Sequence, residues 1–160
     1  MTEIILIDDH KIVRDGIRML LESSDKNKII GEYDSFTQFT DSQSKKIPDV
    51  YILDISMPDI NGIEASKIIK SENPNAKIII LSMYDNEEFV LKAISAGASA
   101  DLCKNISKRE LLNAVQKVAN GEEYFAEEIQ KIIIRSMMQK SNSIDVPKLN
   151  TLSKREVELL

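Results

Sequence analysis

A doubly wound α/β domain with a parallel sheet is predicted by three observations. Short apolar runs alternate with stretches whose apolar residues have helical spacing. At least one run, Val50 to Leu53, is apolar without alternation, as a strand buried on both faces must be. Acidic, hydroxyl or basic residues stand where the runs end. Consecutive parallel strands need right-handed crossovers, which place helices on both faces of the sheet. Ligands of such domains lie beyond the carboxyl ends of the strands, so those end residues are the first place to look for chemistry.

Five strand–helix units follow in order. Ile4 to Ile7 reads as a strand, and Ile12, Val13, Ile17, Leu20 and Leu21 mark one face of a helix. Lys28 to Tyr33 is a weaker strand, followed by a short polar helix carrying Phe36 and Phe39 and ending near Ser44. The third strand, Val50 to Asp54, stops at Pro58 and Gly62, after which Ile63, Ala65, Ile68 and Ile69 form a helical stripe. Ile78 to Leu81 leads to a helix with Phe89, Val90, Ala93 and Ile94 on one side, capped near Asp85 or Asn86 and stopped by Gly97. Ser99 to Cys103 is the fifth strand. Its helix starts at the capping box Ser107-Lys-Arg-Glu110, carries Leu111, Leu112, Val115 and Val118, and ends at Gly121.

After Gly121 the repeat stops. Ala126 to Met138 has helical spacing in Ile129, Ile132, Ile133 and Met137, and Lys140 to Asn150 is polar and contains Pro147. Residues 122–150 are therefore expected to be a helical linker behind a domain of residues 1–121. Residues 151–160 open a further helix with the capping box Ser153-Lys-Arg-Glu156.

Composition narrows the function classes. With 42% hydrophobic and 29% charged residues in 160, the chain is expected to be a globular, cytoplasmic protein, and no run is long enough to span a membrane. The single cysteine, Cys103, excludes an internal disulfide and a cysteine-based zinc site; its place in an apolar strand favours a buried thiol. The formal net charge of −5 argues against nucleic-acid binding by this chain itself. From Gly121 onward there are six Lys/Arg and seven Asp/Glu, so the tail has no basic footprint either.

The strand ends carry Asp8 and Asp9, then Asp54, Ser82 and Lys104. Alone, each is ordinary: an aspartate there is a turn or cap residue, a serine a turn residue, a lysine a solvated charge. Together at one edge they make a site. Three close carboxylates repel one another unless they share a divalent cation, for which magnesium is the natural candidate. A carboxylate so held can attack phosphorus and form an acyl phosphate, with Lys104 neutralising the phosphoryl oxygens and Ser82 donating to one of them.

These residues resemble a two-component response-regulator receiver domain over residues 1 to about 120. The pair Asp8-Asp9, the segment Asp54-Ile-Ser-Met-Pro58 with Gly62, the hydroxyl of Ser82, and Lys104 carry the resemblance. It implies a flavodoxin-like five-stranded sheet of order 2-1-3-4-5. It also implies phosphorylation of Asp54 by a sensor histidine kinase or by small phosphodonors, and a regulator rather than a classical enzyme. Mg2+ would be held by Asp9, Asp54 and the backbone carbonyl of Ser56, with Asp8 acting mainly through water. Finer features, Asp8-Asp-His10 with Val13-Arg14, Ser82-Met-Tyr-Asp85, Ala96-Gly-Ala98 and Leu152-Ser-Lys-Arg-Glu156-Val, resemble the NarL/FixJ class, whose members carry a LuxR-type helix-turn-helix. The resemblance makes residues 151–160 the start of a truncated output domain, and it implies a homodimer on phosphorylation and DNA contact only through the complete domain.

His10, the one histidine, is expected in the first turn of its helix beside the acidic pocket rather than as a phosphate carrier. Two departures stand out. Asp101 occupies the position, three before Lys104, where many receivers have Tyr or Phe. Met83 follows the hydroxyl where many have a small residue, and is expected to restrict access to the phosphoryl group. Rival readings are a free-standing receiver working through protein contacts, and a phosphatase of the haloacid dehalogenase type. The latter requires a second aspartate where Ser56 stands. A dinucleotide fold lacks its glycines, since the first turn reads Asp8-Asp-His-Lys11.

Overall fold

A computed structural model describes residues 1–42, 46–82, 87–125 and 127–143. Six strands, β1 (Thr2–Ile7), β2 (Asn27–Tyr33), β3 (Val50–Asp54), β4 (Ile78–Ser82), β5 (Ala100–Cys103) and β6 (Tyr124–Phe125), form one sheet in the order β2-β1-β3-β4-β5-β6. Every pairing is parallel. The helices are α1 (Lys11–Glu22), α2 (Phe36–Asp41), α3 (Gly62–Glu72), α4 (Glu87–Ser95), α5 (Lys108–Ala119) and α6 (Glu127–Ser143). The chain forms two compact units, Met1–Phe125 and a second beginning at Ala126.

The doubly wound architecture is the expected one, with one strand more. Tyr124 pairs with Ala100 and Phe125 with Asp101, and the Tyr124 N–H donates to the Ser99 carbonyl at 2.9 Å. Two residues cannot display a period of two, so only the open edge of β5 makes them a strand.

Alternation along the strands divides the apolar residues between two cores. Ile4, Leu6, Val50, Ile52, Ile79, Leu81, Ala100 and Leu102 pack against Ile17 and Leu21 of α1 and Leu111, Ala114, Val115 and Val118 of α5. Ile5, Ile7, Tyr51, Leu53, Ile78 and Ile80 face Phe36, Ile63, Ala65, Ile69 and Ala93 on the other side. The sheet is thus buried on both faces, and its polar residues are left at the strand ends.

Local signals set the helix ends. Ser35, Asn61 and Ser107 are the N-caps of α2, α3 and α5, each accepting a backbone N–H three residues on. Both α4 and α5 finish on a glycine of positive φ, Gly97 at 100° and Gly121 at 91°. The N–H groups of Gly97 and Ala98 return to the carbonyls of Ile94 and Ala93, and those of Gly121 and Glu122 to Val118 and Lys117. This is the Schellman pattern, which glycine enters without steric cost.

Several expectations are corrected. Ile12 is 88% exposed, because at about 3.6 residues per turn it lies opposite the stripe centred on Ile17 and Leu21. Phe89 is 45% exposed, since Val90 and Ala93 take the inward face of α4. Cys103 is half-buried rather than buried, and its Sγ lies 2.6 Å from Asn105 Oδ1. Helix α6 continues past Met138 to Ser143, into the stretch read as polar linker. The serine and asparagine there cost a helix only tenths of a kcal/mol each, about 0.5, and no proline intervenes before Pro147. Ser44, Met83, the cap at Asp85 or Asn86, residues 144–150 and the segment 151–160 lie outside the described residues.

Candidate functional site

The edge where β1, β3, β4 and β5 end gathers the residues singled out above. β1 delivers Asp8, whose N–H donates to the Tyr33 carbonyl at 3.0 Å and whose side chain is fully buried. Asp9 follows, with a side chain 32% exposed. β3 ends on Asp54, 1% exposed. β4 ends on Ser82, and the Lys104 N–H donates to the Ser82 carbonyl at 2.9 Å, which fixes the start of the β5–α5 loop beside it.

Lys104 reaches back across the edge. Its side chain is only 5% exposed, and its Nζ lies 2.9 Å from Asp54 Oδ2 and 3.4 Å from Asp8 Oδ2. The Ser56 N–H donates to the other Asp54 oxygen, Oδ1, at 3.1 Å. Asp54 is thereby held by one amide and one ammonium, one on each oxygen.

The loop between β3 and α3 is tied at two points. Gly62 N–H donates to the Ile55 carbonyl at 3.0 Å, closing the loop on itself. A Cβ on Gly62 would stand 2.5 Å from the Asp54 carbonyl oxygen and 3.0 Å from Ile55 Cα, so only glycine lets α3 begin this close to Asp54. Further out, Asp59 Oδ2 accepts the Thr37 N–H at 2.6 Å and the Thr37 hydroxyl.

Burial pushes the Asp59 carboxyl upward, but the Thr37 hydroxyl and N–H, with the N–H groups of Ile60 and Asp59, outweigh it and hold the group below its usual range. A carboxyl lowered by folding adds stability above its unfolded value, near pH ~4, and loses it as pH falls through the folded value. Replacing Thr37 by Val should therefore reduce stability at neutral pH and flatten its decline in the acid range. Urea unfolding at neutral pH and near pH ~3 checks this, and an unchanged acid slope would rule it out.

His10, expected in the first turn of its helix, stands one residue before it as the N-cap of α1, with no side-chain cap hydrogen bond. Its Nδ1 lies 3.3 Å from Asp8 Oδ1, 3.2 Å from Asp9 Oδ1, 3.6 Å from Asp54 Oδ2 and 3.1 Å from Lys104 Nζ. Arg14, one turn on, donates from Nη1 to the Asp8 carbonyl at 2.6 Å. The sequence shows both residues beside the acidic pair, but not that they fold back over it. Asp101 is also a site neighbour: the Ser82 hydroxyl donates to its Oδ1 at 3.2 Å.

Ligand atoms of Asp8, Asp9, His10 and Asp54 all lie within 4.8 Å of one another. Three carboxylates meet there, with the Lys104 ammonium between two of them and the Arg14 guanidinium on the Asp8 carbonyl. Asp8 Oδ2 is buried and accepts no hydrogen bond among the described residues, although Lys104 lies nearby. An oxygen-rich pocket with an unsatisfied carboxylate oxygen fits a hard divalent cation.

Residues 4–116 match the response regulator receiver domain. The chain belongs to the response-regulator receiver family. It is 35% identical over 156 residues to the transcriptional regulatory protein YxjL of Bacillus subtilis, covering 97% of this chain and 72% of that one. It is 29% identical to the transcriptional regulatory protein DegU of Brevibacillus brevis, spanning 98% of this chain but 66% of DegU. A crystal structure of a LuxR-family two-component response regulator from Aurantimonas superposes with a TM-score of 0.79 at 30% identity, covering 86% of this chain and 99% of that one. The module is thus a signalling receiver of the NarL/LuxR type, as the motifs implied, and family membership removes the phosphatase and dinucleotide readings.

Proposed function

We propose that Asp54 is the phosphoacceptor of this two-component receiver. The observation that carries it is the position of Lys104 Nζ, 2.9 Å from Asp54 Oδ2 on a nearly buried side chain. An ammonium there meets the charge that arrives with a phosphoryl group. One carboxylate oxygen of Asp54 attacks phosphorus while the P–N bond to a phosphohistidine of the sensor kinase breaks. The electron pair returns to the imidazole nitrogen. Ser82 donates to a phosphoryl oxygen. Asp8, Asp9, Asp54 and the Ser56 carbonyl would hold Mg2+, which supplies charge neutralisation on the phosphoryl oxygens when bound.

The same residues would support self-phosphorylation from a small phosphodonor and hydrolysis of the acyl phosphate. Closure of the loops on a phosphoryl group would then shift a pre-existing equilibrium, favouring a homodimer and licensing DNA contact and transcriptional control by the complete output domain. Within residues 122–150, those beyond the β6 residues Tyr124 and Phe125 serve in this reading as the linker, and 151–160 as the start of that domain. A cytoplasmic setting goes with it, and no helix among the described residues is long and apolar enough to cross a membrane.

Incubation with acetyl phosphate and magnesium, followed by intact mass measurement, tests the proposal. The wild-type chain should gain one phosphoryl group and Asp54→Ala none. An unmodified wild type, or equal labelling of the variant, would sink it.

A further inference from the structure

We propose that Asp101 is a positioning residue: it holds the Ser82 hydroxyl in the resting protein, and sets how readily that hydroxyl turns to a phosphoryl group on Asp54. The inference rests on the reading of Asp54 as phosphoacceptor and adds a competitor for one of its partners.

The geometry begins with the sheet. Leu102 and Ala100 point into the core formed with α1 and α5, so alternation turns Asp101 to the opposite face. Ile78 and Ile80 of β4 occupy that face too, which puts Ser82, two residues on, on the same side. Asp101 is 2% and Ser82 5% exposed, and the hydroxyl donates to Asp101 Oδ1 at 3.2 Å. A carboxylate on the core-facing side of a strand is rare unless it is paired.

A serine hydroxyl has one proton to donate. Ser82 therefore cannot donate fully to Asp101 and to a phosphoryl oxygen at the same time. Where many receivers have an aromatic ring at the position of Asp101, this chain has an acceptor that competes for the hydroxyl. Exchange of one acceptor for the other sets where the hydroxyl points.

The test is the affinity of the 160-residue chain for beryllofluoride, a phosphoryl mimic, in the presence of magnesium, read by fluorine NMR. Asp101→Leu should bind about fivefold tighter, the weight of one hydrogen bond no longer broken. Asp101→Asn keeps an acceptor oxygen without the charge and should fall between wild type and Asp101→Leu. In a Ser82→Ala background, Asp101→Leu should change nothing, because the hydroxyl it competes for is gone. Thermal unfolding of each variant confirms that the compared proteins are folded. Two results overturn the proposal: unchanged affinity in folded Asp101→Leu, or the same gain with Ser82→Ala, which would reduce Asp101 to a distant charge. A wild type that binds beryllofluoride separates these failures from failure of the phosphoacceptor reading. One that neither binds it nor labels on Asp54 removes both.

Discussion

Lys104→Ala is expected to slow labelling of Asp54 by acetyl phosphate about 100-fold to 1,000-fold, the cost of deleting one preorganised donor at a developing negative charge. The same substitution should unfold the protein more easily. Asp8 and Asp54 are 0% and 1% exposed, and Lys104 is the cationic side chain that bridges them. Removing it leaves two buried carboxylates facing each other, and breaking a buried pair in this way costs about 3 kcal/mol. Magnesium should restore part of that loss, because a ligand that binds the folded state alone stabilises by mass action. Urea unfolding in chelator and in magnesium gives the second measurement. A labelling rate within about tenfold of wild type would show that Lys104 contributes charge balance to the fold and little to the transfer.

The second large effect concerns Gly62, which has no polar side chain and acts on the site through the space it leaves empty. A methyl group there meets backbone atoms, the Asp54 carbonyl at 2.5 Å and Ile55 Cα at 3.0 Å, and backbone cannot step aside as a flexible side chain can. Gly62→Ala should destabilise by about 1–3 kcal/mol, despite the gain in helix propensity, and displace the carboxylate of Asp54 with its strand end. Gly16 is the control. It lies within α1 and a Cβ there meets nothing within 4 Å, so Gly16→Ala should stabilise by about 0.5–1 kcal/mol and leave labelling unchanged. If Gly62→Ala labels at the wild-type rate, the close approach of α3 does not position Asp54.

Much of this molecule was legible in its residues because burial imposes pattern. Val50 to Leu53 could be read as a central strand because both its faces must be apolar, and Asp54 stood out as the polar residue that ends it. The caps were equally open to reading: Ser107 and Gly121 act through bonds to residues three to five away, so neighbours in sequence suffice to recognise them. Ile12 and Phe89 show the limit of the same reasoning, since helical spacing marks a stripe but packing decides where its margin falls.

The sequence by itself determined the order of strands and helices, the two apolar faces of the sheet and the list of residues at its carboxyl edge. Those follow from periodicity and from local hydrogen bonding, which operate over a few residues. Tertiary structure alone decided the rest. The pairing of Phe125 with Asp101 and the contact of Ser82 with Asp101 follow strand register, while the 2.9 Å approach of Lys104 to Asp54 fifty residues earlier and the fold-back of His10 toward Lys104 follow from which loops the sheet brings together. The demand for glycine at position 62 comes from the carbonyl of a residue on another element. Such contacts join residues far apart in the chain, and no local rule records which atoms will meet.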